Sequence, residues 1–202
     1  LSTTGTQTRG SDRTVVSAYF QNNMGNNYLI WDGTAICVAY GNNSTTRVIA
    51  ARYVPSGTSF GTSSNITVDT VYSARNAIAY NSDESSYMFY YNEGGNQPKG
   101  IIGLLSGTNF NFSGSTSVSF SNFTNYGTMQ LYYDSVSQQF LGFYNASGMK
   151  LQKATSSSRT LTMLPETTID TVNTNSYTAF SGGSSYFITA RDDATNIAYY
   201  NY

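Results

Sequence analysis

The sequence contains no histidine, one cysteine, three prolines and one tryptophan among 202 residues. Each shortage removes a class of chemistry. Without histidine there is no Ser-His-Asp or Cys-His relay and none of the usual zinc ligand sets. A single cysteine, Cys37, cannot form an internal disulfide. Set mid-strand in AICVAY, it is expected to be a buried thiol acting as a small hydrophobe. Charged residues are only 10% of the chain and sum to a net charge of −1, so no basic footprint for nucleic acid or an anionic membrane surface exists. No apolar run approaches the roughly twenty residues of a membrane-spanning helix, so no membrane insertion is expected. There is no Walker-type glycine loop and no dinucleotide fingerprint. No stretch carries a helical hydrophobic period, and almost no helix is expected.

Eleven acidic residues leave a carboxylate pair for glycoside hydrolysis formally open. Most stand in turn sequences, Asp32, Asp83, Glu84 and Asp134 among them, where they satisfy backbone amides or stay solvated. The repeated Ser-x-Asp-x-Gly-x-Thr-Trp turns of sialidase-type propellers are absent. On these grounds the chain is read as not an enzyme, with no metal and no cofactor. Six Asn-x-Ser/Thr sequons, at Asn42, Asn43, Asn65, Asn111, Asn122 and Asn145, are about what the composition gives by chance and say nothing about glycosylation.

What the chain does have is eighteen tyrosines and 15% aromatics, set among Ser, Thr, Asn and Gln. Disordered chains share the Ser and Gly but not the aromatics. This is the profile of a rigid extracellular or virion-surface β protein. Residues 77–120 read as four short strands: Ala77 to Tyr80, Ser86 to Tyr91, Lys99 to Leu105, and Asn109 to Phe120 with a break at Ser113-Gly114. Each is rich in Ile, Tyr, Phe, Val or Thr and bounded by Asn, Asp, Ser or Gly. Such an antiparallel meander cannot bury both faces alone and needs neighbours.

The neighbours are copies. The end of the first strand recurs at Trp31, Tyr80, Tyr132 and Phe180, spaced by 49, 52 and 48 residues. The second strand recurs as AICVAYG, YMFYYNE, FLGFYNA and FITARDD. Aligning Tyr40, Tyr91, Tyr144 and Arg191 gives spacings of 51, 53 and 47. The last copy has three strands, and an orphan strand, TVVSAYF over Thr14 to Phe20, precedes the first. A ring that shares one repeat between its termini explains both and removes the exposed edges. The expected fold is therefore all-β: a four-bladed β-propeller with four antiparallel strands per blade, its N-terminal strand closing the last blade. Residues 1–13 are expected to form an N-terminal arm and 14–202 a single domain. Its blades fall at about 27–68, 77–120, 128–169, and 177–202 plus 14–20. In the third copy ATSSS reads as a loop between the third and fourth strands, and Pro165 as an outer-edge residue. The start at Leu1, without a signal-peptide pattern, is expected of a fragment or a processed chain.

In such meanders the loops after the second and fourth strands share one face. Here they are aromatic and amide-rich, whereas the opposite turns (DGT, NSDES, YDSVS, SGGS) are plainer. Tyr72, Phe123 and Tyr126 offer flat apolar faces, Asn96 with Asn22, Asn92 and Asn125 offers amides, and Arg75 and Arg191 offer forks for a carboxylate. A sugar ring uses these parts, an aromatic platform for its C–H face and planar polar groups for its hydroxyls. The candidate ligand-binding residues are thus Tyr72, Arg75, Asn96, Phe123, Tyr126 and Arg191. The alternative is that these are ordinary surface residues of a chain rich in Tyr and Asn.

IAYNSDESSYMFYYNEGG, KGIIGLLSGTNFNFSGSTSVSF and FITARDDATNIAYY resemble the repeats of about fifty residues in tail-fibre, adhesin and capsid-decoration proteins of tailed phages. The close matches are Tyr80, Arg191, Asp192 and the Gly-Thr-x-Phe turns at Gly57 to Phe60 and Gly107 to Phe110. The resemblance implies a virion surface protein whose partners are a host-surface glycan or other receptor and other virion proteins. In outline the chain is also similar to small propeller lectins. Two other readings stay open, a purely structural decoration or assembly module and a cellular propeller lectin. Ring closure has a direct test. Deleting residues 1–20 should remove several buried strand residues at roughly 1.5–3 kcal/mol each, and deleting 1–12 should be mild. Equal melting temperatures for both truncations and the parent would overturn closure.

Overall fold

The computed structural model describes residues 28–42, 47–56, 59–60, 65–71, 73, 75–93, 97–120, 129–145, 148–170, 176–182, 185–191 and 197–201. The fold is all-β, built of several antiparallel sheets, with no helix among the described residues. The first unit holds β1 (Leu29–Trp31), β2 (Ile36–Asn42), β3 (Arg47–Tyr53), a small ribbon of β4 (Pro55–Ser56) with β5 (Ser59–Phe60), and β6 (Ile66–Asp69); its sheet order is β1-β2-β3-β6. The second holds β7 (Asn76–Asn81), β8 (Ser86–Glu93), β9 (Gln97–Ser106), β10 (Asn109–Asn111) and β11 (Val118–Ser119). Here β10 and β11 pair with successive parts of β9. The third holds β12 (Gln130–Asp134), β13 (Gln139–Asn145), β14 (Met149–Ser157), β15 (Thr160–Met163) and β16 (Thr167–Asp170), with the same split outer strand on β14. The fourth holds β17 (Ser176–Gly182), β18 (Ser185–Arg191) and β19 (Ile197–Asn201).

The break expected at Ser113-Gly114 separates β10 from β11, where Gly114 takes a positive φ of 82°. ATSSS differs from expectation. Ala154 to Ser157 are the end of β14, paired with β15 from Ala154↔Met163 to Ser157↔Thr160. Ser and Thr read as loop residues by composition, yet on a solvated outer rung they serve as well as apolar ones, and only Ser158 turns, at φ 56°. The strand expected over Thr14 to Phe20 and the arm 1–13 lie outside the described residues.

Side-chain alternation explains why the sheets stack. In β3, Val48 and Ala50 face one way and Ile49, Ala51 and Tyr53 the other, and all five are buried. Cys37, Ala39, Val48 and Ala50 pack on Ile78, Tyr87, Phe89, Tyr91, Ile101 and Phe110 of the second sheet. The other face of that sheet sends Met88, Tyr90 and Ile102 against Met129, Leu131, Phe140 and Tyr144 of the third. First strands meet first strands, β1 beside β7, β7 beside β12 and β12 beside β17. Meanders stacked face to face with their first strands innermost make the arrangement propeller-like. Where the linker from β6 to β7 crosses β2 it presses on Gly41; a Cβ there would clash with the Ser73 carbonyl oxygen.

A buried polar tie centred on Asp32 joins the first two sheets, in addition to the bond from Tyr91 OH of β8 to Asp69 Oδ2 of β6 (2.8 Å). Asp32, just after β1, accepts at Oδ1 from the Thr34 and Ala35 amides (2.8 and 2.7 Å) and from Thr34 Oγ1 (2.8 Å). At Oδ2 it accepts from Arg52 Nε (2.9 Å), Tyr87 OH (2.6 Å) and Cys37 Sγ (3.3 Å). Arg52 stands opposite Cys37 in the β2–β3 register, so both reach the face that meets Tyr87 of β8. The turn position of Asp32 follows expectation; its burial against Arg52 and a second sheet does not. Burial alone would raise this carboxyl, but the hydrogen bonds from Tyr87, Arg52 and Thr34 outweigh it and hold the group well below the usual carboxylate range. Burial, then the charge and hydrogen bond of Asp32, push the Cys37 thiol far up, so it is an inert buried thiol as expected.

The pH dependence follows. In the unfolded chain Asp32 titrates near pH ~4. Its folded value is depressed, so its stabilisation is complete above that range and is lost as acid protonates the unfolded state first. Asp32→Asn should flatten this acid limb and, by leaving the Arg52 guanidinium buried without a counter-charge, cost about 3–5 kcal/mol at neutral pH. Denaturant titrations from about pH 2 to 7 read both effects. A variant matching the parent in midpoint and acid slope would overturn the tie.

Candidate binding groove

The three described inner strands whose side chains are placed end alike. Each runs out in an aromatic residue and then an Asx turn. Asp32 accepts from the amides two and three residues on, as given above. Asn81 Oδ1 accepts from the Asp83 and Glu84 amides (2.9 and 3.1 Å). Asp134 takes the Val136 amide at Oδ1 (3.0 Å) and the Ser137 amide at Oδ2 (3.2 Å). Short side-chain acceptors are suited to this role because they mimic a backbone turn. The three turns fix Trp31, Tyr80 and Tyr132-Tyr133 at the same end of the stacked sheets.

Between these strand ends lies a groove of about 370 Å³. β1 contributes Leu29, Ile30 and Trp31, β7 and its turn contribute Ala79, Tyr80 and Ser82, and β12 and its turn contribute Leu131, Tyr132, Tyr133 and Ser135. Trp31 and Leu29 are 55% and 52% exposed, which for large apolar side chains on an inner strand is unusual. The tyrosines are braced from behind by rings of the second strands. Tyr80 sits 4.8 Å from Tyr87, Tyr133 5.1 Å from Phe140 and Tyr132 6.2 Å from Phe143, centroid to centroid. Their hydroxyl protons are engaged as well, Tyr132 donating to Gln130 Oε1 (3.0 Å) and Tyr133 to Asp83 Oδ2 (2.8 Å). Burial, then the bond to Asp83, raises the Tyr133 hydroxyl well above its ordinary value, so it stays protonated. What this leaves for a ligand is aromatic surface with two serine hydroxyls. Among the described residues no cluster of His, Cys, Asp and Glu has the makings of a metal site.

The sequence-predicted site fares differently. Tyr72, Asn96, Phe123 and Tyr126 lie outside the described residues. Arg191 ends β18. Arg75 is half-buried just before β7, its carbonyl accepting from Ser73 Oγ (3.0 Å) and the Asn92 amide (3.1 Å). That is the opposite end of β7 from Tyr80, so Arg75 and the groove belong to different ends of the sheets. Sequence reasoning missed the groove because it treated Trp31, Tyr80 and Tyr132 only as markers of the repeat. The recurrence of an aromatic at the last position of each inner strand was the available signal.

No protein-family model matches the sequence, and no curated protein matches it. Among solved structures, the periplasmic gluconolactonase PpgL of Pseudomonas aeruginosa is similar at 9% identity and a TM-score of 0.48, over 84% of this chain and 51% of that one. A protein from Lactobacillus plantarum is similar at 8% identity and a TM-score of 0.34, over 91% of this chain and 71% of that one. The chain thus spans about half the length of the gluconolactonase. At these scores neither likeness passes an activity to this chain. The comparison does correct one expectation. Enzymes were set aside because histidine and the familiar catalytic motifs are absent and the acidic residues stand in turns; a similar structure belongs to an enzyme, so the reading of the chain as not an enzyme is withdrawn.

Proposed function

We propose that the chain is a four-bladed propeller displayed on a virion surface, where it mediates attachment by weak, multivalent binding of host-surface carbohydrate in the groove at the inner-strand ends. The observation that carries this reading is Trp31, more than half exposed at the rim of a groove lined by braced tyrosines, aliphatic side chains and two serines. A pyranose presents a C–H face to such a platform and hydroxyls to such serines. The resemblance of the repeats to tail-fibre and capsid-decoration proteins supports the setting and the further contacts with other virion proteins. Four-fold closure is supported by burial on outward faces. Val38, Tyr40, Ile49, Ala51 and Tyr53 on the far side of the first sheet are buried, as are Leu141, Phe143, Met149 and Leu151 on the far side of the third. A sheet buried on both faces is flanked on both, as a closed ring requires of its first and third blades.

A single ring bound at this site is held with millimolar affinity, about 4 kcal/mol. Display in many copies raises avidity by roughly 10²–10⁴. The test is attachment of beads or particles carrying many copies to host cells. Trp31→Ala should abolish attachment with an unchanged melting temperature, and Tyr126→Ala should not. If Tyr126→Ala detaches the particles and Trp31→Ala does not, the site belongs to the opposite face. If both variants attach like the parent and no glycan is bound on an array, the structural-decoration reading replaces this one.

A further inference from the structure

Resting on that reading, we infer that the groove selects uncharged sugar rings and rejects acidic ones such as uronic or sialic acids. The described residues that line it include no Lys or Arg. The turns that supply its serines carry carboxylates instead: Asp83 and Glu84 follow Ser82, and Asp134 precedes Ser135. These charges are fixed at the rim by their own bonds. Asp83 Oδ2 accepts from the groove residue Tyr133 (2.8 Å), and Glu84 Oε2 accepts from Ser156 Oγ (2.8 Å) across the second and third sheets. Asp134 is held by its turn amides. A neutral ring lying on Trp31 meets aromatic faces and hydroxyls. An acidic ring in the same place brings its charge toward anchored carboxylates with no cation from the described lining to offset them, and like charges repel over several ångströms even in water.

The chain has a single tryptophan, so its fluorescence reports Trp31 and nothing else. The probes are matched pairs that differ only at C6: methyl glucoside against methyl glucuronide, and methyl galactoside against methyl galacturonide. At least one neutral member should shift the emission to shorter wavelength and protect it from acrylamide, saturating in the millimolar range. Its acidic partner should bind on the order of tenfold more weakly. Added salt and the double variant Asp83→Asn/Glu84→Gln should each narrow that gap, since both weaken the rim field. An acidic partner that binds as tightly as the neutral one, or a gap that the double variant leaves intact, overturns the inference while leaving carbohydrate binding standing. Silence from every probe when Trp31→Ala has nonetheless abolished attachment overturns it too, because the ligand is then not a neutral hexose. Silence together with undiminished attachment of Trp31→Ala removes the groove reading itself.

Discussion

A buried carboxylate sets the terms for the first half of this molecule. Asp32 takes three donors at each oxygen, two from the backbone of its own turn, the rest from Thr34, Cys37, Arg52 and Tyr87. A buried ion pair is weak evidence of net stability, since desolvation of both charges consumes most of the attraction. What it supplies is uniqueness. Arg52 donates to Asp32 Oδ2 and to Thr34 Oγ1, acceptors it reaches when β3 lies in register with β2, and the second sheet brings Tyr87 alongside. Because Asp32 directly follows Trp31, the same bonds that fix sheet against sheet also fix where the exposed indole stands.

The later copies repeat the turn and change the tie. Asn81 closes its turn as Asp32 does, but reaches the next sheet through Nδ2 to Ser156 Oγ (3.1 Å), a neutral bond. Tyr133 reaches back to Asp83 across the same boundary. The acceptor geometry of the turn is constant and its charge is free to vary, because the turn amides need an oxygen and not an ion. This accounts for repeats that keep their period with little identity. Spacing and turn chemistry are constrained, and the chemistry of each sheet-to-sheet contact is solved locally.

Much of the fold was legible for the same reason. Alternation in RVIAARY places Val48 and Ala50 on one face and Ile49, Ala51 and Tyr53 on the other, and apolar residues on both faces call for flanking sheets. The same alternation puts Arg52 on the inward face beside Ala50, and an inward arginine asks for a carboxylate, but nothing in the sequence singles out Asp32 among eleven acidic residues. The groove was harder to find. Which side of an inner strand is left open depends on how far its neighbours approach, and spacing along the chain carries no such distance. Counting aromatics and amides in loops favoured Tyr72 and Tyr126, while Trp31 and Tyr80, at strand ends, read only as markers of the repeat.

Placement on strands has an energetic consequence for binding. A ligand that stacks on loop residues orders them at a cost of about 0.5–1.5 kcal/mol for each mobile side chain. Tyr80, Tyr132 and Tyr133 are already held by rings behind them and by hydrogen bonds at Tyr132 and Tyr133, so little further ordering remains for a ligand to impose. The same bracing limits what they offer. With their protons directed to Gln130 and Asp83, these two tyrosines present faces more than donors, and on the proposed reading discrimination among ring shapes would fall to Ser82, Ser135 and the exposed indole. On the proposed reading, such a site would hold each ligand weakly, and its useful strength would come from the number of copies engaged at once.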